Sequence, residues 1–516
     1  MRHVVRGTCA LLAIFAVATS AAGAYKVSPI KTSTGRLDTG FIYVSWGSPE
    51  FDAIQFERMQ AAGAKFVRIN ADWSSIAPSG TTMPTDFHPT DPADPLYNWS
   101  TLDTLVRAAT TAGLQPILSL LFAPVWAQGT ASTRPATPGG YKPNAAQFAN
   151  FATAAATRYS GSFDDLPRVR YWAIWNEPNL KRYLSPQVTG KKAVAYLSYR
   201  ALLNAGAAAI HNAASGNVVI AGETSPFGGP ASTRARPLTF MEKVLCVSEK
   251  RVKKVSKKKV TYVWTYKSAC TTRVQFDVWS QHPYTEGGPS VKAHFRGDVP
   301  LGNMSDMLAV LNTAIRANHV AAGSGARLWV TEFSWDSNPP DPKGVPMQLE
   351  ARWVSEALYR SWSGGVSLFT WFLVRDQPFT PTSYYQSGLY TISKSNPDDV
   401  SLDKAKPALT AFRFPFVAFP RSKTSISVWG RTPESIAGGV QIQRKSGSTW
   451  KLVKKLNANR YGIFQAQIPK PAKTTYLRAR LADGSDISVP FSLVAPKKVW
   501  KGCAFGSGCH QNTPSK

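Results

Sequence analysis

Between Thr39 and about Pro415, short apolar, β-branched runs alternate with longer segments in which apolar residues recur at helical spacing. A period of two giving way repeatedly to a period of 3.6 is the pattern of βα units that build a parallel sheet. Eight runs read as strands: Gly40–Ser45, Phe66–Asn70, Pro116–Leu121, Tyr171–Trp175, Val218–Ala221, Phe276–Ser280, Leu328–Glu332 and Val366–Phe372. The stretches Leu102–Ala112, Ala145–Tyr159, Lys191–Asn212, Ser305–His319 and Gln348–Trp362 read as helices between them. Eight such units predict an α/β fold closed as a (β/α)8 TIM barrel, and no G-x-G-x-x-G follows the first strand to favour an open doubly wound sheet.

The pattern changes after the barrel. From 420 to 494, short alternating strands recur at roughly ten-residue spacing with Gly, Asn, Lys and Pro between them, which predicts a small all-β, Ig-like sandwich. Its strands are read at Ser425–Trp429, Val440–Arg444, Trp450–Leu456, Ile463–Ile468, Tyr476–Leu481 and Ile487–Leu493. Residues 495–516 read as a loose tail. At the other end, Arg2 and Arg6, an apolar run from Cys9 to Ala18, and Ala22-Gly23-Ala24 have the form of a cleavable signal peptide over 1–24. The barrel is then assigned to 25–415. No other run is apolar enough to cross a membrane, so a secreted protein, extracellular or associated with the cell wall, is expected.

Export changes how the cysteines and the charge are read. After the signal peptide Cys246, Cys270, Cys503 and Cys509 remain, and in an oxidising compartment nearness in sequence favours the pairs 246–270 and 503–509 over the two other pairings. The chain carries a net charge of +29, but the segment 246–270 holds eight Lys or Arg against Glu249, and 416–516 holds seventeen against three acids. The positive charge therefore belongs to an insertion in the barrel and to the C-terminal part, and with no recognised binding motif it does not argue for nucleic acid. The insertion reads as a β-hairpin, with two β-prone arms around the cationic run Lys250 to Lys259. Anionic cell-wall polymers are the partners expected for it and for the C-terminal module.

In a barrel the chemistry lies at the C-terminal ends of the strands. Strand four closes in Trp175-Asn176-Glu177-Pro178 and strand seven in Thr331-Glu332-Phe333, so two carboxylates flank one cleft. Glycosidic cleavage requires such a pair, one to protonate the leaving oxygen and one to attack or to activate water. These residues, in this strand order, resemble the clan A glycoside hydrolases, retaining cellulase-like enzymes on a (β/α)8 barrel, in the manner of families 39 and 5. The resemblance spans the barrel and not the sandwich.

The resemblance implies Glu177 as acid/base, Glu332 as nucleophile in a double displacement, and Asn176 on the 2-hydroxyl of the sugar. It also implies that Arg68 lies near the nucleophile, that His282 and Tyr284 form a His-x-Tyr whose phenol bonds the nucleophile, and that Trp371 is a flat platform for a sugar ring. Strand three departs from the pattern, ending Leu121-Phe122-Ala123 without the histidine common in family 5. On this reading Glu177 has a raised pKa, and Arg68 and Tyr284 keep Glu332 ionised.

The function expected is that of a secreted O-glycosyl hydrolase acting on a poly- or oligosaccharide. No cofactor or metal is expected, since the seven histidines are scattered and H-E-x-x-H is absent. A catalytically silent carbohydrate-binding or wall-attached protein on the same barrel is the alternative. Retention of both Glu177 and Glu332 separates the two, because binding alone needs neither an acid nor a nucleophile.

Overall fold

A computed structural model of the chain describes residues 35–45, 48–130, 139–256, 259–378, 385–470 and 475–494. The segment 1–24 read as a signal peptide, the expected pair 503–509 and residues 495–516 lie outside the described residues. Eight parallel strands close into a barrel in sequential order: β1 (Asp38–Ile42), β2 (Phe66–Asp72), β3 (Gln115–Leu121), β4 (Tyr171–Ile174), β5 (Val218–Thr224), β6 (Val278–Gln281), β7 (Arg327–Val330) and β8 (Val366–Trp371). Pairing of β8 with β1, Phe41 opposite Trp371, completes the ring. A main helix follows each strand, with a short extra helix at Trp73–Ile76 after β2: α1 (Pro49–Ala61), α2 (Ser100–Thr111), α3 (Ala145–Arg158), α4 (Ala195–Ala213), α5 (Pro237–Val244), α6 (Met304–Arg316), α7 (Met347–Ser363) and α8 (Pro407–Arg413). The helix starts carry local signals: Ser48 accepts from Phe51 N with Pro49 next in line, and Asn144 accepts from the amides of Ala146 and Gln147.

The alternation of side chains along the strands sorts the barrel interior into layers. Phe66, Ile117, Ala173, Val218, Ile220, Val278, Trp329 and Leu368 form one buried apolar cluster inside the ring. Two residues further along their strands come Arg68, Ser119, Ser280, Thr331 and Thr370, all buried. An apolar plug therefore carries a polar floor on the side where the strands end. The outward residues join a much larger cluster that packs strands against helices.

The C-terminal module is a two-sheet sandwich. Phe416–Pro420, Ser425–Arg431 and Ile463–Pro469 form one sheet, and Thr449–Ala458, Gly438–Ser446, Tyr476–Leu481 and Phe491–Ser492 form the other. The module starts earlier than the pattern suggested, because Phe416–Pro420 is a strand buried over nearly its whole length and so shows no alternation. The last strand is shorter than expected, with an isolated bridge between Arg480 and Ile487 ahead of it.

Sandwich and barrel share one core. Arg431 is fully buried and donates to Leu37 O and Thr39 Oγ1 at the start of β1 and to Phe412 O in the last turn of α8. Tyr359 and Trp362 of α7 pack on Trp429 with ring centroids 5.4 Å away.

The basic insertion is a hairpin of Val247–Ser256 and Lys259–Ser268 between α5 and β6, in register from Val247 opposite Ser268. A disulfide joins Cys246 to Cys270 at its base, with the Cα atoms 5.3 Å apart. Glu249, the insertion's one acid, is ion-paired with Arg296 from the barrel. Among the described residues, no helix is long and apolar enough to cross a membrane.

Candidate active site

Arg68 lies across the polar floor and organises what stands above it. Its Nε donates to Ser119 Oγ at 2.8 Å, and its Nη2 donates to Asn176 Oδ1 and Glu223 Oε2, both at 2.8 Å. Its Nη1 reaches Glu332 Oε2 at 3.2 Å. Glu332 comes just after β7, and its other oxygen accepts from the Tyr284 hydroxyl at 2.9 Å. Arg68 from within β2 and the strand-end residues Asn176, Glu177, His282, Tyr284 and Glu332 of β4, β6 and β7 are thus brought into one constellation.

The end of β4 aims Glu177 by unusual backbone geometry. Trp175 and Glu177 both take positive φ, 71° and 39°, a region that costs non-glycine residues energy and is held only by surrounding structure. Leu120 O accepts from Trp175 N at 2.9 Å, and Glu223 O accepts from Glu177 N at 2.9 Å, which fixes the turn. The side chain then lies with Oε1 3.3 Å from His282 Nδ1. That nitrogen is also 3.6 Å from Glu332 Oε2, so one imidazole edge faces both carboxylates.

Exposure separates the three glutamates here. The side chains of Glu177 and Glu332 keep 12% and 16% of their surface, whereas that of Glu223 keeps none. Only the first two can meet a ligand. Burial pushes the Glu177 acid well above its ordinary value, and the Glu332 charge pushes it further against the opposing pull of Arg68. Burial raises Glu332 as well, while Arg68 and the Tyr284 hydroxyl hold it back. To the expected raised Glu177 and ionised Glu332 the structure adds that burial raises both acids, and their surroundings make Glu177 the one that keeps its proton longer. His282, fully buried beside Arg68, is pushed well down and stays neutral.

Glu177, His282 and Glu332 offer ligand-type atoms within 4.8 Å of one another. Both Glu332 oxygens are already engaged, one by a guanidinium and one by a phenol, and a cation there would face Arg68. We assign no metal to this group. For Asn176, the amide oxygen is taken by Arg68, which leaves the NH2 as its donor toward a ligand.

Trp371 is not a platform. It is 0% exposed, packs among Phe333, Trp335 and Phe412, and donates its indole N–H to Ser387 O at 2.6 Å. The aromatic surfaces at the mouth are others. Tyr385, 45% exposed, leans on Phe372 with ring centroids 5.0 Å apart. Tyr183 stacks on Phe122 at 6.0 Å, with the Arg182 guanidinium 5.5 Å above its ring. The charges of Glu177 and Glu332 reach both tyrosine hydroxyls.

Glu223 is the residue that the sequence reading overlooked. It follows Gly222 at the end of β5, and the rule that found Glu177 and Glu332, a carboxylate closing an apolar strand, applies to it equally. The sequence pattern of that strand stops at Ala221, just before Gly222.

No protein-family model matches the chain, and no curated protein matches it. Solved structures to which it is similar include a family 39 glycoside hydrolase from Bacteroides cellulosilyticus WH2, at 14% identity over 84% of this chain and 81% of that one, with a TM-score of 0.47. Another is the GH39 enzyme from Xanthomonas axonopodis pv. citri, at 14% identity over 86% of this chain and 93% of that one, TM-score 0.46. A third is Thermotoga maritima Cel5A, at 15% identity over 74% of this chain and 98% of that one, TM-score 0.38.

Proposed function

We propose that this protein is a retaining glycoside hydrolase that cleaves a β-linked glycan by double displacement. The observation that carries the reading is the approach of two partly exposed carboxylates at the ends of β4 and β7, with oxygens of Glu177 and Glu332 within 4.8 Å of each other. Retaining pairs stand about 5–5.5 Å apart, whereas inverting pairs need about 6.5–9.5 Å to admit a water.

In the first step a Glu332 oxygen attacks the anomeric carbon while Glu177 gives its proton to the departing glycosidic oxygen. Arg68 and Tyr284 hold the nucleophile in place and favour its charged form. Once Glu332 is esterified its charge is gone, and the repulsion that raised the Glu177 acid goes with it. Glu177, having given up its proton, is then held as the carboxylate, and in that form it takes the proton of the water that releases the sugar. Asn176 donates to the hydroxyl beside the reacting carbon.

The chain is further proposed to be exported by its N-terminal segment and to be drawn to anionic wall polymers by the basic hairpin and the C-terminal module. What supports this is the charge distribution, with Glu249 already neutralised by Arg296.

The roles are tested with aryl β-glycosides whose leaving groups differ in acidity. Glu332→Ala is expected to abolish turnover of all of them. Glu177→Ala is expected to spare the most activated ones, which depart without a proton, and to lose the rest by about 10²–10⁴-fold. Equal losses across the series would overturn the assignment.

A further inference from the structure

The shortest charge contact of Arg68 is with Glu223, not with the proposed nucleophile: 2.8 Å against 3.2 Å. Glu223 is sealed from solvent and cannot touch a substrate. The backbone is bent to put it there. Gly222 takes φ +92°, and a Cβ on it would lie 2.4 Å from Ser280 O, so β5 can pass β6 only with glycine at that point. Glu223 itself takes φ +46°, and its carbonyl receives the Glu177 amide. Tyr199 of α4 fixes the same turn from behind, its hydroxyl accepting from Gly222 N at 2.7 Å. One carboxylate oxygen of Glu223 is committed to Arg68, and the other has no hydrogen-bond partner among the described residues. A buried, half-satisfied carboxylate is costly, and an apolar residue would fill the volume without that cost.

We propose that Glu223 is a positioning residue: it holds one terminal nitrogen of Arg68 beside Asn176 so that the other meets Glu332, and by sharing the guanidinium charge it sets how much positive field reaches the nucleophile. The proposal rests on the reading of Glu332 and Glu177 as nucleophile and acid/base. The charged and titratable groups around Glu223 are Arg68 from β2, Glu177 beyond β4, Glu332 beyond β7, and Tyr199 from α4, with neutral His282 beyond β6 near the same guanidinium. With Glu223 ionised, one cation serves two anions. Replacing Glu223 by glutamine keeps an acceptor for Arg68 and removes one anion, so the whole guanidinium charge acts on Glu332.

The test is a pH titration by carbon-13 NMR of the full chain labelled at the glutamate side-chain carboxyl, in wild type and Glu223→Gln, with Glu177→Gln and Glu332→Gln spectra to assign the signals. In Glu223→Gln the Glu332 midpoint is expected to fall by about one pH unit, and that of Glu177 to fall with it. An unchanged Glu332 midpoint in a folded variant would overturn the proposal.

Should Glu223→Gln fail to fold, the same coupling is read from the other side. In Glu332→Gln the midpoint of Glu223 must fall by the equivalent amount, because coupling between two sites is reciprocal, and an unmoved Glu223 signal would be fatal. A purely structural role would lower the melting temperature and leave these midpoints where they are. The titration needs no substrate, so a wild type that hydrolyses no glycoside would defeat the hydrolase reading without bearing on this coupling.

Discussion

Glu350 sits in the first turn of α7, fully buried, and neither of its carboxylate oxygens has a hydrogen-bond partner among the described residues. Burial pushes its acid up from 4.5 to about 8, against the pull of Lys406 and with a further push from Asp376 and Asp336. The unfolded chain titrates this group near the ordinary value, so between the two values the folded protein holds the extra proton. Stability from this group is therefore fully present below about pH 4.5 and is lost as pH rises toward 8.

Each pH unit in that window is worth about 1.4 kcal/mol, which makes about 3 kcal/mol between pH 5 and pH 7. Glu350→Gln keeps the shape and removes the titration. Urea unfolding of both proteins at the two pH values should show the variant gaining about 3 kcal/mol on the wild type as pH rises from 5 to 7. The slope isolates ionisation, because any packing cost of the amide is the same at both pH values. Parallel stabilities would refute the argument that this carboxyl is buried as the neutral acid.

Three further perturbations separate cleft from core and probe the basic surface. Trp371→Phe is expected to cost about 1–3 kcal/mol in thermal or urea unfolding and to leave KM nearly unchanged, whereas Tyr385→Ala should raise KM several-fold with little loss of stability. The reverse pattern would restore Trp371 as a sugar platform. Replacing Lys253, Lys254, Lys257, Lys258 and Lys259 by Ser is expected to lower the salt needed to elute the protein from an anionic polysaccharide column, since exposed charges are screened over about 8–10 Å near physiological ionic strength. Elution at the same salt would show that the hairpin charge is only a solvated edge.

Much of this architecture was readable because each barrel strand carries a short apolar run and five of the helices, α2, α3, α4, α6 and α7, carry apolar residues at helical spacing; α1, α5 and α8 went unread, and α1 has hardly any one-sided stripe. The same logic placed Glu177 and Glu332, since a charged residue that ends a buried strand stands out against its neighbours. It failed at Glu223 because Gly222, needed where β5 crosses close to β6, looks like the end of a strand when only the sequence is in view. Trp371 was misjudged for a different reason. Its burial depends on Phe333, Trp335 and Phe412, which are distant in sequence, and no pattern around residue 371 reports them. Phe416–Pro420 was passed over because a strand covered on both faces has no alternation to detect. The sharing of Arg68 between two carboxylates is likewise a product of closure, which sets β2, β5 and β7 around one centre.

The central claim is that Glu177 and Glu332 act by double displacement, and the stereochemistry of hydrolysis tests it most directly. Proton NMR of the first sugar released from whichever aryl β-glycoside the wild type turns over, recorded before mutarotation, reads the anomeric configuration. Double displacement releases the β-anomer, the configuration of the substrate, and that is the expected result. First release of the α-anomer would mean that water attacks directly across a wider pair, and it would contradict the role assigned to Glu332.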